Sequence, residues 1–318
     1  YDAKGNVITK TDANNDTIIY TYDSLNRLIQ KTYPDATTEA FTYNVKGNII
    51  TAGNSNISYT FTYDVNNRIT TVIDSNSRTI SYEYDDLGNR TSMTSPSGDS
   101  TTYNYDSTNR LSQISAFAGN FAFEYDSLGR RTSLSYPNEI TTTYEYDALS
   151  RFTNLTTNNK KLKTLSYAYD NVGNRLSKSV TDKKKKTSNH TYQYDEIYRL
   201  LSASLIKNQR NQRPKKKEVY SYDPVGNRLN GPKSKNSYIY NNGNQLLTDR
   251  KHQYTYDSNG NLTKKVKHHK IWTYEYDYEN RLIKVIKTKD VDKKIISFKY
   301  DPFGRRVEKK VEKIEEGE

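Results

Sequence analysis

The sequence contains no cysteine, so neither a disulfide framework nor thiolate chemistry is available to it. That absence is compatible with an extracellular or an intracellular protein. Four histidines, at positions 190, 252, 268 and 269, are too few and too scattered for a zinc centre, which needs three or four ligands at helical or knuckle spacing. No run of about 18 apolar residues occurs, which excludes a spanning helix. No nucleophile-elbow, phosphate-loop or dinucleotide-binding glycine pattern is present, and an enzyme is not expected. Leu, Ile, Val and Phe together make only about a fifth of the 318 residues, close to the composition of disordered chains.

What is abundant is tyrosine, with 30 residues. A buried tyrosine covers a large apolar area and carries one polar tip that needs a partner, and it is a strong strand former. An ordered, aromatic-packed β-protein is therefore expected.

The tyrosines recur with a period. A Tyr-x-Tyr-Asp or related stretch returns about every 21 residues, as in "YTYDSLNRLI" from Tyr20, "YEYDDLGNRTS" from Tyr82 and "YAYDNVGNRL" from Tyr167. Fifteen anchor tyrosines can be counted between Tyr1 and Tyr300, and the first eight step by a mean of 20.7 residues. Self-similarity at such a period marks a repeat architecture. The anchor pairs include Tyr22 with Asp23, Tyr63 with Asp64, Tyr84 with Asp85, Tyr105 with Asp106 and Tyr125 with Asp126. They continue with Tyr146 and Asp147, Tyr169 and Asp170, Tyr222 and Asp223, and Tyr300 and Asp301.

Alternation in "TTYEYD" (142–147) puts Tyr144 and Tyr146 on one strand face. The Asp ends the strand, because its carboxylate accepts backbone N–H groups two residues on. Gly or Asn follows at the slot that favours the left-handed conformation, at Gly88, Gly129, Gly173, Gly226, Gly243 and Gly304 among others, with Ser150 and Tyr198 in the two weakest units. A second, alternating strand leaves the turn, opened by an arginine such as Arg90, Arg110 or Arg175. That arginine, read as recurring at one register, is expected to pair with the turn Asp or to lie over a Tyr ring of the neighbouring unit. Each unit is thus a two-stranded hairpin, marginal alone, which must gain stability by stacking on its neighbours.

The recurring "YDxxGNRL" and "YDxxGR", with "YDPFGRRVEK" at 300–309, resemble the YD repeats of Rhs proteins, of the B/C components of bacterial insecticidal toxin complexes and of teneurins. The resemblance implies a β-strip that spirals into a hollow shell, enclosing a toxic domain in the toxin members and forming an extracellular adhesion module in teneurins. The autoprotease segment that closes such toxin shells has no match here, and "DPFG" (301–304) belongs to the repeat, so no self-cleavage is assigned.

The expected architecture is accordingly all-β, tandem YD hairpins stacked as a spiralling solenoid or shell wall. It covers residues 1–307, regular to about 170 and looser and lysine-rich after, with a charged tail over 308–318 that holds the one stretch with helical spacing. The expected function is a non-enzymatic scaffold of a secreted or cell-surface protein of bacterial or archaeal type. The alternatives are a self-assembling fibre subunit and the encapsulating part of a toxin-delivery protein. Because "YDAKGN" starts in mid-repeat, the chain is expected to be a piece of a longer protein.

Charge is uneven. Residues 1–159 carry a net charge of −6 and residues 160–318 carry +18. The basic runs at 183–186, 209–217 and 264–270 fall between anchors and are read as loops. Nucleic acid is therefore not an expected partner, because loop lysines are not interleaved with stacking aromatics. Self-association or a cell-surface or glycan receptor is expected instead. No metal or cofactor is expected. "DANNDT" opens like a calcium loop at Asp12, Asn14 and Asp16, but Thr17 stands where the loop needs Gly, and the segment is read as an inter-repeat turn.

Overall fold

The computed structural model describes residues 1–158, 162–206, 216–231 and 238–314. Among these the chain forms 28 strands and no helix, the all-β architecture that the tyrosine alternation predicts. It divides into two compact units. One comprises Tyr1–Tyr82 with Tyr238–Glu318, and the other is Glu83–Ser237.

In the Glu83–Ser237 unit, successive strands from Arg90–Thr94 to Lys216–Val219 each pair antiparallel with the next. The unit with both chain ends contains two such meanders. One starts at Thr9–Thr11 and the other runs from Ile239–Tyr240 to Arg306–Ile314. Among the described residues buried apolar side chains are few, namely Ile18, Tyr33, Phe41, Ala52, Ile57 and Leu134, as the low aliphatic content requires.

The hairpin turn is the same nearly everywhere, and Thr141–Tyr146 to Phe152–Thr157 shows it. The N–H of Asp147 donates to the carbonyl of Arg151 (3.0 Å), and the N–H of Ser150 donates to the carbonyl of Asp147 (2.9 Å). Ser150 sits at φ 61°, and the register slips by one residue between Glu145 and Tyr146. This is the three-residue loop with a left-handed third residue and an adjoining bulge. Tyr198 takes the same conformation at φ 66° despite its bulk. In the unit opened by Asn241, the left-handed residue is Asn244 (φ 60°), not the expected Gly243, because the slot is counted from the turn-opening residue and lies three positions on. The far ends of several hairpins use the same turn, as at Tyr33–Thr37 and Asp74–Arg78. Asp12–Asp16 is another, which makes "DANNDT" a turn as read.

Two glycines separate conformational from steric demand. Gly129 occupies the turn slot at φ 78°, and a Cβ there would meet nothing within 4 Å. Gly119 lies at φ 106°, and its Cβ would come to 2.7 Å from Pro137 Cβ. Gly129→Asn is expected to change stability by less than about 0.5 kcal/mol, as Asn tolerates this region. Gly119→Ala is expected to cost about 1–3 kcal/mol. Urea unfolding followed by circular dichroism distinguishes the two.

Two expectations need correction. Residues 308–314 are not a tail: Arg306–Ile314 is a nine-residue strand paired along its length with Asp292–Tyr300. The alternation of Val307 and Val311 after a turn is strand spacing, and two strand positions mimic a helical step over so short a stretch. Finally, "KKVKHHK" is largely not a loop, because Leu262–Lys267 and Lys270–Tyr276 are strands with a turn only at His268–His269. Lys183 and Lys184 do sit in a turn, and residues 209–215 lie outside the described residues.

Candidate functional site

The repeated constellation is a clamp of Asp, Arg and Tyr, and its geometry is legible in the 147 turn. Asp147 Oδ1 accepts the N–H groups of Leu149 (3.0 Å) and Arg151 (2.8 Å), and Oδ2 accepts Arg151 Nε (2.6 Å). The carboxylate thereby closes its own turn and holds the guanidinium flat. Arg151 then reaches into the next unit, where Nη1 donates to the carbonyl of Asp170 (2.7 Å) and the guanidinium lies 5.1 Å from the centre of the Tyr169 ring. Tyr169 reaches back, its phenol donating to the carbonyl of Phe152 (2.7 Å). Each unit thus grips the next by an arginine going forward and a phenol coming back.

The back-reaching bond is regular. The acceptor is always the fifth residue after the preceding turn-opening Asp or Asn. Tyr22 uses Val7, Tyr63 uses Ile49, Tyr105 uses Arg90, Tyr125 uses Leu111 and Tyr146 uses Arg131. Tyr222 uses Leu200 and Tyr300 uses Leu282. The phenol, which must be satisfied when half-buried, finds a main-chain carbonyl at the start of the neighbouring return strand.

The arginine occupies two registers, not one. At the fourth position after the Asp, as Arg27, Arg110 and Arg130, it pairs with the Asp and lies over the next anchor ring, at 4.7, 4.8 and 5.0 Å from Tyr43, Tyr125 and Tyr146. In Gly-Asn-Arg units the Asn takes that position. Asn89, Asn174 and Asn227 donate to Oδ2 of Asp85, Asp170 and Asp223. The arginine, moved one residue on, turns to the first tyrosine of a pair: Arg90 lies over Tyr103 of the next unit (4.6 Å) and Arg175 over Tyr167 of its own (4.4 Å). A one-residue shift along a strand reverses the face, so Asn89 and Arg90 cannot do the same work. Gly88, Gly129, Gly173, Gly226 and Gly304 all hold positive φ in their turns.

The carboxylates are held ionised. Asp23, Asp64 and Asp106 lie below the ordinary value, first through the backbone N–H of Arg27, Arg68 or Arg110, with burial opposing and each guanidinium adding. In Asp85 the leading cause is the Asn89 amide. Depressed folded values mean that the stabilisation is complete above the unfolded value of about 3.9 and is lost as pH falls through the folded values. Melting temperature is therefore expected to fall steeply below about pH 4. Thermal melts across that window check it, and a flat profile down to about pH 2 would show that the turns do not depend on ionised Asp.

Asp301 departs from the pattern. It is fully buried, accepts the Tyr59 phenol (3.2 Å), and its partner Arg305 lies over the Tyr59 ring (5.2 Å), some 240 residues upstream. Phe303 packs among Phe41, Tyr59 and Phe61 at 6.0–6.3 Å. The last YD turn is therefore docked on strands near the start of the chain. A second cluster stands beside it. Glu39, 1% exposed, lies 3.1 Å from Lys31 Nζ and 3.6 Å from Arg281 Nη2. Lys31 also meets Glu279 (2.5 Å), and Arg281 meets Glu279 (3.1 Å) and Asp277 (2.6 Å). Burial, then the Glu39 charge, pushes the Tyr33 phenol up. Sequence reasoning missed both clusters. The only signals were a Glu on the tyrosine face of a strand and a Phe in a turn.

Among the described residues no group of His, Cys, Asp or Glu is arranged to hold a metal, and no helix is long and apolar enough to cross a membrane. The sequence profile of the teneurin YD-shell matches residues 1–195 and 153–315. The chain belongs to that family. This YD-shell chain is similar in fold to a TcdB2-TccC3 crystal structure without its hypervariable C-terminal region, at TM-score 0.67 and 15% identity, covering 98% of this chain and 21% of that one. It is also similar to the Photorhabdus luminescens Tc holotoxin pore, at TM-score 0.55 and 15% identity, covering 95% and 20%. A curated relative, double-stranded DNA deaminase toxin A of Burkholderia cenocepacia (strain H111), is 32% identical over 146 residues, which are 45% of this YD-shell chain and 9% of the toxin. The chain thus spans about a tenth to a fifth of the length of the proteins it matches.

Proposed function

We propose that this chain is a stretch of non-enzymatic shell wall of a secreted or surface protein, whose stacked YD hairpins enclose another polypeptide. The observation that carries the reading is the reciprocal clamp. Its carboxylates, guanidiniums and phenols, the groups a catalytic site would draw on, are spent on gripping the next unit. A wall needs this kind of bonding, because each hairpin has two faces and too little aliphatic surface for a core of its own. A relative named as a toxin supports a toxic domain as the enclosed polypeptide. The test is electron microscopy and limited proteolysis of the longest natural chain containing these residues. The expected result is a hollow particle protecting an internal segment until the wall is opened. A solid particle with no protected segment overturns the reading.

A further inference from the structure

The strands from Gln253–Tyr256 to Arg306–Ile314 place lysines in a cross-strand row. Tyr254, Lys265, Trp272, Lys287, Lys294 and Lys313 are successive register partners on six adjacent strands. Directly opposed residues share a sheet face, so all six project from one side. Two residues along, Lys267, Lys270, Lys289 and Asp292 form a second row on that same face. The two rows thus hold seven lysines and one acid, Asp292, with Asp249 accepting the Tyr254 phenol at one end, and strands lie about 4.8 Å apart.

Like charges opposed on neighbouring strands destabilise a sheet. The opposite face of the same strands avoids this: Lys284 is opposed to Glu275 (3.3 Å) and Lys299 to Glu308 (3.2 Å). Among the described residues the two lysine rows contain no such ion pair. Its rings are half-covered by the same cations, with Lys265 and Lys287 lying 5.6 and 5.7 Å from the Trp272 ring. A shallow cavity of about 210 Å³ opens between Lys287, Lys289, Lys293, Lys294 and Lys313, with Asp292 and Ile314 also lining it.

We propose that this lysine face binds single-stranded nucleic acid. A row of point charges neutralises a run of phosphates, and Tyr254 and Trp272, within the row, supply faces on which bases stack. The stacking faces favour a nucleic acid over a sulfated glycan or an anionic membrane, which offer charge without aromatic bases. The expectation against nucleic acid rested on loop lysines without aromatics. These lysines are on strands and the aromatics are interleaved with them.

The test is fluorescence anisotropy of a labelled oligothymidylate with the whole chain, across salt. Four phosphates engaged by the central row give a slope of log affinity on log salt of about −3. Trp272 is the sole tryptophan, so its emission reports the site directly, and quenching on binding is expected. The triple variant Lys287→Glu, Lys294→Glu, Lys313→Glu is expected to lose about 100-fold in affinity and flatten the slope to about −1, with a little-changed melting temperature, since like charges stay opposed in the row. A control with the same charge change elsewhere, Lys183→Glu, Lys184→Glu, Lys217→Glu, is expected to bind within about threefold of the parent. The proposal is overturned if the control loses as much as the triple variant, if Trp272 emission does not respond, or if heparin or anionic vesicles bind as tightly as the oligonucleotide with the same salt slope. If the charge reversals unfold the chain, Lys→Gln at the same three positions carries the same test, with a smaller loss.

Discussion

Glu39→Ala is expected to destabilise the unit formed by the two chain ends by about 3 kcal/mol, the low end of what breaking a buried ion pair costs. The side chain is 1% exposed and stands between Lys31 and Arg281. Removing it leaves two cations, each under a fifth exposed, with less compensating charge. The cost stays at the low end because Glu279 continues to pair with both. The double variant Lys31→Met, Glu39→Leu removes charge and counter-charge together and is expected to recover to within about 1 kcal/mol of the parent, since apolar replacement of a buried pair is often neutral. Urea unfolding of the three proteins measures both values. If Glu39→Ala costs nothing, the cluster is wet and the two ends are held by other contacts.

Tyr169→Ala should remove about 3–4 kcal/mol from the Glu83–Ser237 unit, as expected for deleting a large aromatic side chain at a packed site. Three things are lost together: the phenol bond to Phe152, the ring under Arg151, and the contact with Tyr167. Tyr169→Phe separates them. It keeps the ring and deletes one hydrogen bond, leaving a carbonyl unpaired, at about 1 kcal/mol. The ratio of the two costs is the informative quantity. If Phe costs as much as Ala, the grip between units is the phenol bond and the ring adds little. If Phe costs nothing, the carbonyl of Phe152 is solvated and the units hold by ring packing and the cation above it. Hydrogen exchange on both sides of the substitution would show how far the loosening travels, since in a stacked array each interface is a nearest-neighbour contribution.

Most of the hairpin is readable from the chain. Tyr, Asp and the left-handed slot are local signals, and the turn at Asp147–Arg151 follows from residues within five positions of one another. The arginine is legible in the chain as a residue that recurs just after the turn. Its second register was missed because Arg90 and Arg27 look like one residue filling one column, when Arg90 stands five positions after its Asp and Arg27 four, which puts them on opposite faces. The lysine runs were misplaced for a related reason. A run of like charge reads as a solvated loop, whereas Leu262–Lys267 is a strand, and the strand Lys270–Tyr276 that follows it opens on lysine too.

The sequence by itself determined the module: an aromatic hairpin closed by an aspartate, repeated about every 21 residues, in a chain too poor in aliphatic side chains to fold any other way. Every interaction that defines it spans a few residues or one repeat, so periodicity records it. The tertiary structure alone decided that Asp301 and Phe303 dock beside Tyr59, that Glu39 meets Arg281, and that one face of the last strands is lined with lysine. Those meetings join residues up to some 240 positions apart or depend on strand register. Each occurs once, and a contact that does not repeat leaves no period in the chain to be read.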